Sequence, residues 1–526
     1  MLVASVVVQA CGGVAVGGRP TAEGSGTALL VVITVDQLSS DYLERYGGTF
    51  THGFRRLLDE GAVWPRGVHD HAITETAPGH ASILSGRFPV HTGISSNSQG
   101  VNTTEAPLLG ATSLGASPFR FRGTAFYDWM RAADASSRAL SVSRKDRGAI
   151  LPIGRAKTDV YWYASNGTFT TSTYYRDALP GWVNDFNQRR APQALAGREW
   201  PLLLESPLRY PAPDSVPREA DGADVVFPHR LSTDPARAAA QLVEYPWMDS
   251  LTLAFALDGV RELALGTSNR RLDLLAVSLS TTDAVGHRYG PDSREIHDQL
   301  LRLDGYLGTF LDSLASLRGS EKLLVVLTAD HGIAPYPDLR SSYYDNMLAQ
   351  RVDFSRALSW VRRAMQRDGV DSMAVIYDDG FRVVDPDAFQ RTGRDPDTYA
   401  QMWVEEMRRF NGVQRADMVS SLVTADTVQD RVARRWLHMF GPDDAVRAVV
   451  TLTPFSYNAS VTYATHGSPH EYDARVPIIF WGAGIPAGIR PGEARVVDIA
   501  PTLAVHLGIR ARERLDGRPL PLIPED

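Results

Sequence analysis

The sequence of 526 residues contains a single cysteine, Cys11. One thiol cannot form an internal disulfide bond, and it cannot build a metal site from several thiolates. Any bound metal ion must therefore be held by His, Asp or hydroxyl groups. The length is sufficient for a large core and more than one lobe.

The sequence also lacks an excess of positive charge and a long apolar segment. Its net charge is -7, and its basic residues are spread along the chain, so we expect no nucleic-acid partner. The run Leu2–Val8 is too short to span a membrane. It resembles the apolar part of a secretory signal, and Cys11 lies where a bacterial lipoprotein carries its lipid anchor.

We therefore expect residues 1–28 to form a leader and tether. This predicts an exported protein that is periplasmic, or a lipoprotein anchored to the outer membrane through Cys11, with no membrane span. A disordered N-terminus is the alternative.

Four continuous apolar runs are typical of strands buried on both faces of a parallel sheet. They cover residues 29–35, 272–279, 322–328 and 476–481. Helical patterns separate them, which indicates a doubly wound α/β fold with a mostly parallel sheet flanked by helices. We expect one domain over residues 29–526. It should carry a lid insertion at about 111–250 and a helical lobe at about 346–445.

Acidic and imidazole side chains follow three of these runs and precede the fourth. They are Asp36, Asp283, His287, Asp330, His331 and His466. Each one alone is equally consistent with a helix cap or a packed side chain. Together they would meet at the carboxyl edge of the sheet, where α/β proteins bind ligands. His and Asp are ligands that Zn²⁺ accepts, and their number suits two ions.

The segment Thr76-Ala-Pro-Gly-His80 has the features of a helix start, because Pro78 suits a first helical turn. The Thr76 hydroxyl is then either a simple N-cap or a nucleophile activated by nearby metal ions. Two adjacent ions would serve in-line phosphoryl transfer. The stretch Arg144–Gly148 is either a solvated turn or an anion clamp, in which Lys145 and Arg147 would hold phosphate oxygens together with Asn97.

Taken together, these motifs resemble the alkaline phosphatase superfamily. The resemblance is strongest to its bacterial phosphomonoesterase branch, which uses a threonine nucleophile. The motifs occur in family order, at Asp36, Thr76–His80, Gly93–Asn97, Lys145–Gly148, Thr282–His287, Asp330–Gly332 and Thr465–Pro469. The two lobes outside them match only weakly.

The resemblance implies a role for each motif residue. Asp36, Thr76, Asp330 and His331 would bind one Zn²⁺, and Asp283, His287 and His466 would bind the other. Thr76 would attack phosphorus to form a phosphothreonine, which a hydroxide on the second ion would hydrolyse. Asn97, Lys145 and Arg147 would hold the non-bridging oxygens. The expected substrates are small phosphate monoesters, and we expect a monomer.

Two other functions remain as alternatives. A phosphodiesterase or nucleotide pyrophosphatase would use the same two-metal site, but a site with both Lys145 and Arg147 favours the more highly charged monoester. A non-catalytic metal- or phosphate-binding protein would retain the ligands without turnover. A sulfatase is excluded, because it would need Cys or Ser in place of Thr76.

We expect the other nearby residues to have structural roles. His80, His91 and His470 should pack beside the motifs, and Arg144 should only balance Asp146. His69 and His71 should flank an exposed approach.

Overall fold

We describe the protein from a computed structural model that covers residues 26–206, 209–337, 349–482 and 484–523. Cys11 and nearly all of the expected leader lie outside this range. Within it, no helix is both long enough and apolar enough to cross a membrane.

The core of the protein is a nine-stranded sheet. Its strands, in spatial order, are β17 (Gly488–Ile489), β2 (Ala62–Val68), β16 (Arg475–Gly482), β9 (Leu323–Thr328), β1 (Leu29–Val35), β8 (Asp273–Leu279), β3 (Ala139–Ser143), β4 (Asp159–Ala164) and β5 (Thr168–Thr170). Strand β1 is parallel to both of its neighbours, with Leu29 opposite Asp273 in β8 and Leu323 in β9. Strands β16 and β5 run antiparallel to their partners.

Helices flank this sheet, and others belong to the lobe inserted between β9 and β16. They are α1 (Ser40–Tyr46), α2 (Gly53–Glu60), α3 (Thr76–Ser85), α4 (Pro89–Thr92), α5 (Phe126–Ala133), α6 (Asp146–Ile150), α7 (Gly181–Gln188), α8 (Ala191–Ala194), α9 (Pro235–Gln241), α10 (Trp247–Glu262), α11 (Thr281–Tyr289), α12 (Arg294–Arg318), α13 (Phe354–Arg367), α14 (Pro386–Thr392), α15 (Pro396–Met407), α16 (Val419–Leu422), α17 (Arg431–Leu437), α18 (Glu471–Ala474) and α19 (Ile499–His506). The predicted α/β fold is confirmed, as a mixed sheet flanked by helices.

The central strands β1, β8 and β9 are buried along their whole length, as their apolar runs predict. Because β9, β1, β8 and β3 are neighbours that all run parallel, their carboxyl ends meet at one edge of the sheet. Asp36, Asp283, Asp330 and Lys145 lie just beyond these four ends. Strand β16 is antiparallel to β9, so the residues that precede it, including His466, return to the same edge.

The prediction of a lid insertion at about 111–250 does not hold for the whole stretch, because its strands β3, β4 and β5 belong to the main sheet. They extend the sheet beyond β8, where β3 pairs with it in parallel. The rest of the stretch includes a two-stranded sheet of β6 (Glu199–Trp200) and β7 (His229–Arg230).

The lobe expected to be helical at about 346–445 also contains β-strands. Helices α13 and α15 pack in one hydrophobic cluster with a four-stranded antiparallel sheet, formed by β11 (Val375–Tyr377), β12 (Phe381–Val383), β14 (Val446–Leu452) and β13 (Val413–Met418). A short parallel pair, β10 (Arg351–Val352) and β15 (Tyr457–Asn458), lies at its border. Two of the sheet's strands have only three residues each, which is too short for a recognisable alternation.

Candidate active site

Thr76 is the first residue of α3. It is therefore not the N-cap, which was one of the two roles predicted for it. The cap is Glu75, whose carbonyl oxygen accepts a hydrogen bond from Gly79 N at 3.0 Å. The Thr76 side chain is buried, and its Oγ1 lies 3.2 Å from Lys145 Nζ and 3.5 Å from His331 Nε2. The hydroxyl therefore faces the predicted site and does not cap the helix.

Asn97 performs the capping that we expected of Thr76. Its Oδ1 accepts a hydrogen bond from Ala77 N at 3.0 Å, which satisfies one of the free amides at the start of α3. Its own backbone N–H donates to Glu75 Oε2 at 2.6 Å. With Oδ1 turned to the helix, the amide Nδ2 is the donor left for a ligand in the cleft that Asn97 lines.

Asp36, Asp330 and His331 form the first group of candidate ligands. Their potential ligand atoms lie within 4.8 Å of one another, and all three residues are 0% exposed. His331 Nε2 is 3.4 Å from Asp36 Oδ1 and 3.6 Å from Asp330 Oδ2. This arrangement brings together the acids that follow β1 and β9.

Asp283, His287 and His466 form the second group, again with ligand atoms within 4.8 Å of one another. The Nε2 atoms of His287 and His466 lie 3.2 Å and 3.6 Å from Asp283 Oδ1. On each ring, Nδ1 faces a carbonyl oxygen, of Ala464 at 2.5 Å and of Thr74 at 2.8 Å. A carbonyl only accepts, so Nδ1 carries the proton and Nε2 keeps the lone pair that a metal ion needs.

Two further side chains connect and orient the groups. Gln37 donates from its backbone N to Asp330 Oδ1 at 3.1 Å and from Nε2 to Asp283 Oδ1 at 2.9 Å. Sequence reasoning missed Gln37, and the only signal was its position directly after Asp36. His80 has the predicted structural role, because its Nδ1 lies 3.1 Å from Asp330 Oδ2 and its Nε2 lies 2.9 Å from Ser278 Oγ.

The carboxylates carry more negative charge than the surrounding protein balances. Burial raises the pKa of Asp36 to about 7, and the nearby Asp283 and Asp330 carboxylates add to this shift. Asp36 Oδ1 is buried without a hydrogen-bond partner among the described residues, whereas Asp36 Oδ2 pairs with Lys145 Nζ at 2.6 Å and Asp330 Oδ2 with His80 Nδ1 at 3.1 Å. Buried carboxylates of this kind need a cation, so the donor set fits a pair of divalent metal ions.

The Lys145 ammonium group pairs directly with two of these carboxylates. Its Nζ is 2.6 Å from Asp36 Oδ2 and 2.6 Å from Asp283 Oδ2. Together with the imidazoles, it overcomes the effect of burial and holds the pKa of Asp283 well below its usual value. Its ammonium group therefore contacts one carboxylate of each ligand group and lies 3.2 Å from Thr76 Oγ1.

The neighbouring arginines differ from each other. Arg147 lines the cleft, and its Nη1 lies 3.8 Å from Asp146 Oδ1. Arg144, which we expected to balance Asp146, instead donates to Ser280 O at 3.2 Å and lies 3.8 Å from Asp283 Oδ2. The buried carboxylate of Asp283 attracts the second guanidinium, so the prediction for Arg144 is wrong.

The prediction that His69 and His71 flank an exposed approach is also wrong, since they are 1% and 0% exposed. The cause is a contact from a distant part of the chain, because Arg434 of α17 pairs with Asp70 at 2.9 Å and covers this segment. His470 packs as predicted, with Nε2 at 2.8 Å from Leu452 O. His91 pairs with Asp516 at 2.8 Å on the surface.

A cleft of about 490 Å³ opens above the two groups. Its lining brings together Thr76, Asn97, Lys145, Arg147, Asp283, His287 and His466. The candidate nucleophile, cationic groups and the second group of candidate ligands thus face one space, and Thr76 Oγ1 lies 3.5 Å from His331 Nε2 of the first group. This is an arrangement suited to attack on an anionic phosphorus centre.

Comparison with known proteins agrees with this chemistry. Residues 30–410 match the family described as type I phosphodiesterase / nucleotide pyrophosphatase. Alkaline phosphatase PhoV of Synechococcus elongatus is 30% identical over 92% of this chain and 90% of its own. Alkaline phosphatase PhoD of Zymomonas mobilis is 31% identical over 95% of this chain and 89% of its own.

The fold agrees as well. The crystal structure of alkaline phosphatase PafA superposes with a TM-score of 0.86 and 27% identity, covering 94% of this chain and 99% of PafA. The PafA sequence from Elizabethkingia meningoseptica is 29% identical over 94% of this chain and 93% of its own. The chain therefore belongs to the type I phosphodiesterase / nucleotide pyrophosphatase family of the alkaline phosphatase superfamily, and it is a phosphatase.

Proposed function

We propose that the protein hydrolyses small phosphate monoesters through a phosphothreonine on Thr76, with two Zn²⁺ ions as cofactors. The observation that carries the proposal is the position of the Thr76 hydroxyl, 3.2 Å from Lys145 Nζ and 3.5 Å from His331 Nε2, at the junction of the two ligand groups. Asp36, Thr76, Asp330 and His331 would hold one ion, and Asp283, His287 and His466 the other. When bound, the ions supply Lewis-acid stabilisation to the attacking and the leaving oxygen.

The residues of the chain account for both halves of the reaction. Thr76 Oγ1 attacks phosphorus, and the bond to the alcohol oxygen breaks. Water then attacks the phosphothreonine, breaks its bond to Oγ1 and releases inorganic phosphate. The Lys145 ammonium beside Oγ1 favours the ionised form of the hydroxyl.

Asn97, Lys145 and Arg147 would bind the non-bridging oxygens of the phosphoryl group. A monoester dianion places more charge on these oxygens than a diester monoanion does, so two cations at this position favour the monoester. The experiment is a comparison of kcat/KM for an aryl phosphate and a bis-aryl phosphate. We expect the monoester to be the better substrate, and a clear preference for the diester would refute the proposal.

Phosphodiester or nucleotide pyrophosphate hydrolysis is the second candidate function. The description of the matched family favours it, and so does bis(5'-adenosyl)-triphosphatase ENPP4 of Homo sapiens, 22% identical over 62% of this chain. The same assay separates the two functions.

We also propose that the protein is exported and monomeric, with Cys11 as a candidate lipid anchor. The apolar run Leu2–Val8 in front of Cys11 supports export. Cell fractionation of the wild type and a Cys11→Ser variant tests this. Loss of the membrane-associated fraction in the variant would support the anchor, and a wild-type protein found only in the cytoplasm would contradict export.

A further inference from the structure

A second cavity, of about 290 Å³, lies beside the cleft. Tyr463 and His466 line both spaces, and Glu75, which directly precedes Thr76, lines the second. The far wall comes from the lobe that carries α13 and β11, through residues such as Phe354 and Tyr377. The alcohol portion of a phosphate ester held at Thr76 is therefore close to this cavity.

Aromatic side chains form much of the wall: Phe354, Tyr377, Trp436, Tyr457, Tyr463 and Tyr472. Several of their polar ends already have partners within the protein. Trp436 Nε1 donates to Thr451 Oγ1 at 2.9 Å, and the Tyr457 hydroxyl donates to Ala334 O at 2.7 Å. What such rings offer to a ligand is mainly π surface, which attracts cations.

Three carboxylates complete the wall, those of Glu75, Asp379 and Asp473, and neither Lys nor Arg is present among its described residues. Asp473 is 0% exposed, and its Oδ1 has no hydrogen-bond partner in the described part of the chain. Burial raises the pKa of Asp379 to about 8, and the nearby Glu75 carboxylate adds to this shift. A cation in the cavity would offset the repulsion among these carboxylates and favour the ionised form of Asp379, so the cavity is suited to a cation.

The arrangement favours an organic cation over a metal ion. A metal ion needs several ligand atoms close together, and in the described residues only the two groups of the catalytic cleft reach within 4.8 Å of one another. The three carboxylates of this cavity are not such a group. Spread-out carboxylates combined with aromatic faces are the features that recognise quaternary ammonium groups.

We propose that this cavity binds the positively charged end of the substrate alcohol, so that the enzyme prefers phosphate monoesters whose leaving group carries an organic ammonium. The inference rests on the proposed monoesterase function. In the reaction, the ester P–O bond breaks, the phosphate takes the oxygen of water, and the alcohol leaves with a proton.

Phosphocholine and 3,3-dimethylbutyl phosphate provide the test, because they have the same shape and differ in having nitrogen or carbon at the branched centre. We expect kcat/KM to be about tenfold higher for phosphocholine. Asp379→Asn and Tyr377→Ala should each bring this ratio close to one. Asp387→Asn, at an exposed position of the same lobe, is the matched control and should keep the wild-type ratio.

Asp379→Asn is the safer of the two variants. Asp379 has a φ of 56°, a left-handed conformation that Asn also adopts readily, so the turn between β11 and β12 should keep its shape. A wild-type ratio near one would overturn the proposal. So would a tenfold ratio that survives in Asp379→Asn.

Titration calorimetry with choline alone separates this proposal from the proposed function. If the enzyme turns over no monoester, the proposed function fails, and choline binding then decides the question of the cavity. Binding that is lost in Asp379→Asn but retained in Asp387→Asn supports the cavity. Absence of choline binding to the wild type overturns it.

Discussion

The imidazole rings of His331 and His466 stack on each other, with their centroids 3.6 Å apart and their planes 18° from parallel. His331 follows the parallel strand β9, and His466 precedes the antiparallel strand β16 beside it. Each ring belongs to a different ligand group. The stack therefore fixes how the two groups lie against each other, and it predicts a single two-metal centre.

Removal of metal should abolish activity. Treatment with a chelator should lower the rate on an aryl phosphate by at least about 100-fold, and added Zn²⁺ should restore it. Full activity after complete removal of metal would contradict the assignment.

The number of ions can be counted by elemental analysis. We expect about two Zn²⁺ per wild-type chain and about one in His466→Ala, since that variant loses a ligand of the second group. His91→Ala is the control, because His91 pairs with Asp516 on the surface, and it should bind as much metal as the wild type. Equal metal content in all three proteins would place His466 outside the metal centre.

The charge clamp should determine the choice of substrate. Changing Lys145 and Arg147 to Ala should lower kcat/KM for an aryl phosphate by about 100-fold or more, and for a bis-aryl phosphate by much less. Arg155→Ala, at an exposed site, should change neither rate. Equal losses on the two substrates would show that these cations do not discriminate by substrate charge.

Gln37 should act on metal affinity. It donates to Asp283 and Asp330, one from each group, so Gln37→Ala should weaken Zn²⁺ binding by about 10- to 100-fold. A competition titration against a chromogenic chelator measures this, with Gln401→Ala on the exposed face of α15 as control. An unchanged Zn²⁺ affinity in Gln37→Ala would show that the Gln37 side chain does not support metal binding.

Glu219 should make stability depend on pH. Burial raises its pKa from 4.5 to about 9, with Glu295 adding to the shift, and its side chain is 2% exposed. The folded protein therefore keeps a proton that the unfolded chain releases, so this contribution to stability falls as the pH rises from 4.5 to about 9.

Glu219→Gln removes that proton equilibrium. We expect its Tm to exceed that of the wild type by a margin that grows from about pH 6 to about pH 9, reaching about 2 °C or more. Glu205→Gln, at an exposed position, should follow the wild type at both values. A constant difference across this range would contradict the shifted pKa.

The strands β1, β8 and β9 are recognisable from their residues because each is a long apolar run with an acid within the next four residues. Burial on both faces produces that pattern, and parallel order brings the ends together. Strand β2 is less visible, because Pro65 interrupts it. The irregularity in its pairing with β16 falls beside Pro65, between Val476 and Ile478.

The features that escaped prediction depend on partners distant in sequence. Asp70 meets Arg434 only after the lobe folds back, which is why His69 and His71 become buried. Gln37 shows its role only when Asp283 and Asp330 come within hydrogen-bond distance. The local sequence pattern contains no information on such contacts. The ends of the apolar runs, in contrast, do predict where the candidate metal-ligating side chains come together.

The most direct test of the nucleophile is mass spectrometry of the enzyme quenched in acid during turnover of an aryl phosphate. We predict phosphate on the peptide that contains Thr76, together with loss of turnover and of this label in Thr76→Ala, while metal content is largely retained. Full activity in Thr76→Ala, or a label on another residue, would contradict the account.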